Sequence, residues 1–249
     1  MGVCQPYLRR MRYSLVIPAH NEADNLPPLL AEICALPEGQ RPFEIILVDD
    51  ASADATAPVV TAQIAAHPSL RMLRLAKHSG QSAAMLAGVK AARSDWVATI
   101  DADGENDPAD LARMIVLAET SGADLIGGER PPRRSSWSKE LGSRLANDLR
   151  RRVLSDGCSD SACGLKLFRR AMLLQLPSFD GMHRFLPALV QIAGGQTRFL
   201  GVKIRPRRHG RSNYGNLRRA ASGLIDLGGV LWLKRCSLAG AVRIAKEEP

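Results

Sequence analysis

Disulfide chemistry has little to work with in this chain. Its five cysteines, Cys4, Cys34, Cys158, Cys163 and Cys236, are odd in number and contain no CxxC spacing. That excludes a disulfide scaffold and a thiolate metal knuckle, and reads as reduced, mostly packed thiols of a cytoplasmic protein. Aromatic residues make up only 4% of the chain, too few for base-stacking surfaces, and no nucleic-acid-binding motif occurs, so a nucleic-acid partner is excluded. Long apolar runs are missing as well. Gly223–Leu233 falls short of the roughly 20 apolar residues that span a bilayer, and Leu15-Val16-Ile17 is too short for the core of a signal peptide. Pro6 stands where a myristoylation signal needs Ser or Thr, and Met11 is an alternative start. No GxGxxG follows the first predicted strand, which excludes a nicotinamide-dependent dehydrogenase. No internal repeat is present.

What the chain does have is charge of opposite sign in its two halves. Residues 1–129 carry 10 Lys+Arg against 17 Asp+Glu, whereas residues 130–249 carry 24 against 8. Two stretches dominate. Residues 130–152 hold eight basic and two acidic side chains, and residues 203–219 hold seven basic and no acidic ones. Solvated helix faces account for some of these residues but not for a segment without one acid. The clustering implies an anionic partner, either phosphate groups or an anionic membrane surface.

With 249 residues, 45% of them hydrophobic, the chain can bury one substantial core. We read residues 1–214 as one domain and residues 215–249 as a C-terminal helix and tail. Short apolar runs at Tyr13–Ile17, Phe43–Val48, Leu70–Leu75, Trp96–Ile100 and Asp124–Ile126 predict strands. Helical patterns near 24–36, 54–66, 80–92 and 108–121 separate them. Continuous rather than alternating apolar strands predict an α/β fold, a doubly wound, mostly parallel sheet covered by helices on both faces. In such a sheet ligands sit at the carboxyl ends of the strands. Beyond residue 127 we expect a basic helix near 137–154, a short strand at Cys163–Arg169, a helix around His183–Ala193, a strand near Thr197–Ile204 and a last helix to about Lys234. That last helix either packs on the core or lies in a membrane interface.

Three polar clusters fall at strand ends. Asp101-Ala102-Asp103 closes the fourth strand, and alternate residues on an extended chain project to one side. Two carboxylates forced together favour a shared cation, and hard oxygen ligands suit Mg²⁺ or Mn²⁺ completed by substrate phosphates. Helix capping explains Asp107-Pro108 but not Asp101 and Asp103. Pro18-Ala19-His20-Asn21-Glu22 ends the first strand, and Asp49-Asp50-Ala51-Ser52 with Asp54 ends the second. Each alone could be a helix cap. The ordered set of three is hard to reach by chance.

At these residues the chain resembles the inverting family-two glycosyltransferases, specifically the dolichol- and polyprenyl-phosphate sugar transferase branch, which have the nucleotide-diphosphosugar transferase (GT-A) fold. The resemblance runs from about Tyr13 to Trp232. It includes Lys77–Ala84, Gly128-Glu129-Arg130, Ser143-Arg144, Cys163–Phe168, Asp180–Phe185 and the Arg207, Gly210, Ser212 pattern. It implies that Pro18, Ala19, Asn21, Glu22, Asp49, Asp50, Lys77, Gln81 and Asp101 hold the nucleotide, and that Asp101, Asp103 and Glu105 serve the metal. It further implies that Arg130, Arg144, Arg207 and Ser212 hold the acceptor phosphate, with Asp103 and the three arginines as the catalytic set. Three departures stand out: Glu105 for the family's usual Gln, Asn213 for a common Lys, and Asp160-Ser-Ala-Cys163 for an Asp-Thr-Gly/Ser pattern.

The implied partners are a nucleotide-diphosphate sugar, polyprenyl phosphate, an anionic membrane surface at the inner face of the cytoplasmic membrane, and a small membrane-protein subunit supplying an anchor. An ionised phosphate acceptor needs no general base, its second pKa being about 6. It does need cations, of which Arg grips two oxygens at once. The second half lacks the Glu-Asp base pair and the Gln-x-x-Arg-Trp motif of polysaccharide-synthesising relatives, which moves the acceptor from sugar hydroxyl to phosphate. A same-fold transferase acting on a glycan or lipid hydroxyl, and a non-catalytic nucleotide-sugar or membrane-binding protein, are the two alternatives.

Overall fold

Alternate residues of each central strand serve different cores, which is why the strands are apolar throughout. Leu15 and Ile17 of β1 (Tyr13–Ala19) face one cluster and Val16 faces the other. The same division holds in β2 (Glu44–Asp49), with Ile45 and Leu47 on one side and Ile46 and Val48 on the other. The first cluster is closed by α1 (Leu26–Ala35), α2 (Thr56–Ile64) and α4 (Asp110–Ser121) through Leu26, Leu29, Leu30, Ile33, Val60, Leu111 and Met114. The second is closed by α3 (Gln81–Ala91), α5 (Arg170–Gln175) and α6 (Leu186–Ile192) through Met85, Val89, Leu173, Leu186 and Leu189. Gly88 of α3 lies directly over Val16 and Val48, where a Cβ would collide with Val16, so this helix rides close to the sheet.

The computed structural model describes residues 11–131, 150–207 and 216–237, with side chains from residue 223 in the last segment. With β3 (Leu70–Arg74), β4 (Trp96–Thr99), β5 (Leu125–Glu129), β6 (Lys166–Arg169) and β7 (Thr197–Gly201), the sheet has seven strands in the order β3-β2-β1-β4-β6-β5-β7. Neighbours pair in parallel except at β6, which runs antiparallel to both β4 and β5. The expected doubly wound, mostly parallel α/β sheet is therefore present. Each of the first five strands begins within a residue of its predicted start.

Three local expectations change. The fourth helix starts at Asp110 rather than Pro108: the Asp107 carboxylate accepts the Ala109 N–H at 3.0 Å in a turn before the helix, and also meets Arg205 at 2.9 Å. The strand expected over Cys163–Arg169 is shorter, because Cys163 to Leu165 wraps around the end of β4 before pairing begins. The short helix α5 has no periodic signal at six residues and was not expected. Of the predicted basic helix near 137–154, residues 150–154 are helical and the remainder lies outside the described residues.

The last helix, α7 (Asn216–Cys236), docks on the second core through buried Val230, with Leu227 and Leu233 beside it, and Asp226 pairs with Arg184 at 3.1 Å. Its other side exposes Leu224, Ile225 and Trp232. Among the described residues no helix is long and apolar enough to cross a membrane.

Candidate active site

The loops that follow β1, β2 and β3 are tied to one another rather than lying side by side. Asn21 adopts a left-handed backbone (φ 56°), a conformation that Asn tolerates better than most residues. Its N–H donates to Ser52 Oγ at 2.9 Å, while its Oδ1 accepts the Ala53 N–H at 2.9 Å and the Asp54 N–H at 3.3 Å. Glu22 N–H reaches Thr56 Oγ1 and Ala23 N–H reaches Asp54 Oδ2, so the first loop is stitched to the start of α2. Asp49 Oδ1 accepts the Ser52 N–H at 2.9 Å, and Arg74 at the end of β3 lies 3.1 Å from the other oxygen. Asp50 spreads its carboxylate across the third loop, accepting the Ser79 N–H at 2.7 Å and the Gly80 N–H at 2.8 Å. Gly80, at φ 88°, takes a turn that a side chain would strain before α3 begins. Pro18 and Ala19 are the last residues of β1 and pair in register with Val48 and Asp49, and Lys77 lies exposed in the third loop. The nucleotide-side residues named from the sequence are thus gathered at adjoining strand ends.

Asp101 follows β4 at the centre of this edge. Gln81 Nε2, from the first turn of α3, donates to Asp101 Oδ1 at 2.8 Å. On the opposite side Gly164 packs against the carboxylate so closely that any Cβ there would overlap it. The surrounding protein, and secondarily the charge of Asp103, raise the Asp101 carboxyl to about 6, while Lys166 and Arg130 pull the other way. Asp103 Oδ1 accepts the Glu105 N–H at 3.1 Å in a tight turn. A crowded pair of carboxylates, one with its pKa raised by burial and by its neighbour's charge, is a donor set that a hard divalent cation would relieve. Asp101, Asp103 and Glu105 do not close on a single point as a threesome. Among the described residues one group of three metal-ligating side chains has its ligand atoms all within 4.8 Å, and it is His20, Asp50 and His78.

The arginines are held by acids and Lys166 by backbone carbonyls. Arg130, at the end of β5, makes a two-pronged ion pair with Asp160, Nε to Oδ2 at 2.5 Å and Nη2 to Oδ1 at 2.9 Å, and its backbone N–H adds a third contact at 3.2 Å. Burial alone would raise Asp160, but the bonds and charge of Arg130 outweigh it and hold the carboxyl below its usual range. Lys166 is buried on β6 and donates to the carbonyls of Ser161 and Cys163. Arg207 pairs with Glu22 Oε1, joining the late basic segment to the first loop. Arg130 and Arg207 are thus engaged on different loops. Arg144, Ser212 and Asn213 lie outside the described residues.

Sequence reasoning passed over His20, His78, Gly164 and Lys166. The glycine carried a signal, since a glycine inside a predicted strand such as Cys163–Arg169 often marks a close approach. Lys166 carried one too, as a lysine within the apolar run Leu165–Phe168.

Residues 14–176 match Glycosyl transferase family 2. The chain belongs to that family. Within family 2 it is 34% identical over 205 residues to an undecaprenyl-phosphate 4-deoxy-4-formamido-L-arabinose transferase of Edwardsiella ictaluri, covering 81% of this chain and 62% of that protein. It is 33% identical over 233 residues to a dodecaprenyl-phosphate galacturonate synthase of Rhizobium johnstonii, covering 92% of this chain and 69% of that one. The chain therefore spans under two thirds of the length of the first of these relatives. A Mycobacterium tuberculosis glucosyl-3-phosphoglycerate synthase, solved with Mg²⁺ and uridine diphosphate, superposes with a TM-score of 0.68 over 88% of this chain and 80% of its own, at 20% identity. The fold is that of the GT-A glycosyltransferases, as the family-2 motifs implied.

Proposed function

We propose that this chain transfers a sugar from a GDP- or UDP-linked donor to a polyprenyl phosphate, with inversion at the anomeric carbon and with Mg²⁺ or Mn²⁺ at Asp101 and Asp103. The observation that carries the reading is the similarity, over 81% and 92% of this chain, to two transferases named for polyprenyl-phosphate products. The interlocked loops of Asn21, Asp49 and Asp50 offer a rigid seat for the nucleotide. Asp101 and Asp103 would hold the cation, which when bound acts as a Lewis acid toward the departing diphosphate. Gln81 fixes the rotation of the Asp101 carboxylate, and Gly164 leaves it the room to sit there. Arg130, oriented by Asp160, presents a guanidinium beside Asp101 for a phosphate group, and Arg144, Arg207 and Ser212 are assigned to the acceptor phosphate by their motif positions. An ionised phosphate is already a nucleophile, so these residues need to bind and orient it rather than deprotonate it.

Peripheral binding at the inner face of the cytoplasmic membrane accompanies this reading. The exposed Leu224, Ile225 and Trp232 of α7 and the basic stretch 203–219 supply an apolar and a cationic contact. A small membrane-protein subunit would add the second anchoring signal. Flotation with anionic liposomes should lift the full chain more than a version ending at Tyr214, and equal flotation removes α7 as the anchor.

The deciding experiment supplies radiolabelled nucleotide sugar and polyprenyl phosphate in vesicles with Mn²⁺. Label should enter the organic phase as a mild-acid-labile product and fall by at least about 100-fold in Asp103→Ala, the scale of losing one main charge-stabilising group. Label passing only to a glycan hydroxyl overturns the acceptor assignment. Full turnover in excess chelator overturns the metal.

A further inference from the structure

We propose that His20, Asp50 and His78 form a second metal site, chemically distinct from Asp101 and Asp103, that takes a transition-metal ion of the Zn²⁺ class. The three residues come from the loops after β1, β2 and β3, the three outermost strands on one side of the sheet, and their ligand atoms all lie within 4.8 Å of one another. Neither histidine has a part in the transfer reaction described above.

The donor set argues for the class of ion. Two imidazoles and one carboxylate suit Zn²⁺ and its neighbours, whereas Mg²⁺ and Mn²⁺ prefer oxygen ligands such as those at Asp101 and Asp103. The surroundings already resemble the outer shell of a metal site. His20 Nδ1 lies 2.8 Å from the Asp50 carbonyl, which can only accept, so Nδ1 carries the proton and Nε2 keeps its lone pair. That lone pair is met by Asn21 Nδ2 at 3.1 Å, a donor that an incoming ion would replace. Asp50 is fixed by the N–H groups of Ser79 and Gly80, one at each oxygen, and His78 Nδ1 stands 2.9 Å from Oδ2. The two rings lie 4.1 Å apart, tilted by 34°. His78 has nearly half its side chain exposed, so its ring can turn to complete the coordination without disturbing the core. Three protein ligands leave a fourth position open to water or to a ligand oxygen.

One consequence rests on the functional reading above: Asp50 is assigned to the donor nucleotide, so ion and nucleotide compete for it. The binding itself does not depend on that reading.

The test uses the full chain, stripped with chelator and titrated with Co²⁺, followed by visible absorption, and with Zn²⁺, followed by calorimetry. Asp101→Asn/Asp103→Asn serves as the background that removes the hard-cation site. One equivalent should bind in that background, raise the melting temperature and weaken by at least about tenfold in His20→Gln and in His78→Gln. If His20→Gln does not fold, the exposed His78→Gln carries the comparison alone. Undiminished binding in the folded histidine variants overturns the site, and so does binding that vanishes with Asp101 and Asp103. Excess uridine diphosphate should lower the apparent Zn²⁺ affinity. If Zn²⁺ binding stands and the nucleotide leaves it unchanged, the assignment of Asp50 to the nucleotide falls while the metal site remains.

Discussion

The two sides of the site are stiffened by different forces. Around Asn21, Asp49 and Asp50 the work is done by short contacts in which side-chain oxygens, the Asp49 and Asp50 carboxylates among them, accept backbone N–H groups of neighbouring loops. Around Arg130 it is done by a two-pronged ion pair with Asp160. Contacts to backbone N–H groups set a shape, and those that end on the Asn21 amide or the Ser52 hydroxyl involve no titrating group. Ion pairs set the position of a charge, and they weaken when the acid is protonated or, where exposed, when salt screens them. A nucleotide is recognised mainly by shape and hydrogen bonds and a phosphate mainly by charge, so each side suits the ligand proposed for it.

The sharpest way to break the comparison is at the point where the two sides meet. Gly164→Ala places a methyl group onto the Asp101 carboxylate and should cost about 100-fold or more in turnover, the scale of an ångström-sized misplacement of a reacting group. Steady-state kinetics beside a melting curve would separate this from unfolding. Wild-type kinetics in a folded Gly164→Ala protein would show that Asp101 does not need its present seat.

Asp160→Asn tests the charged side. Removing the anion leaves Arg130 with a neutral partner, which should lower stability by roughly 1.5–3 kcal/mol, the range for hydrogen bonds to charged groups. The pH dependence has a definite sign. Asp160 titrates lower in the folded chain than in the unfolded one, so its contribution is present above the unfolded carboxyl pKa of about 3.9 and is lost as pH falls through the lowered folded value. Denaturant unfolding at a series of pH values should therefore show a shallower acid loss in Asp160→Asn than in wild type. Asn21→Ala tests the neutral side. It removes one acceptor serving two N–H groups and should cost about 1 kcal/mol with an unchanged acid profile. An acid profile altered equally in both variants would erase the distinction. The smallest effect belongs to Glu105→Gln, which should shift the relative response to Mg²⁺ and Mn²⁺ without changing the melting temperature. Identical metal titrations would mark this departure from the family as neutral.

Much of the fold was legible because buried parallel strands announce themselves. Ile45–Val48 and Leu15–Ile17 are apolar on both faces, and each is followed by polar residues that we assign to the site. The acidic cluster after β4 was equally plain, although β4 ends at Thr99 and Asp103 lies in the turn that follows rather than on extended chain. Long-range pairing was not legible. Nothing in the local pattern of Lys166–Arg169 says that it inserts antiparallel between β4 and β5, because strand direction is decided by where the intervening chain travels. For the same reason the partners of Arg130 and Arg207 could not be read: Asp160 and Glu22 lie 30 and 185 positions away. His20 and His78 look unremarked in sequence because two side chains that stack in space lie far apart along the chain.

The inserted strand has a further consequence, for the order in which the molecule can be built. Strands β1 to β4 pair only with one another and with β6, and their parallel pairings can assemble as the chain emerges during synthesis. Strand β5 is different. Its neighbours are β6 and β7, so it has no place in the sheet until residues 166–169 exist. The same late segment brings Gly164 to Asp101. A nascent chain can thus carry a finished half-sheet and a complete set of nucleotide-side loops while its central carboxylate still lacks a wall. That wall arrives in one late step, when a four-residue strand adds to the free edge of β4 and gives β5 its place in the sheet.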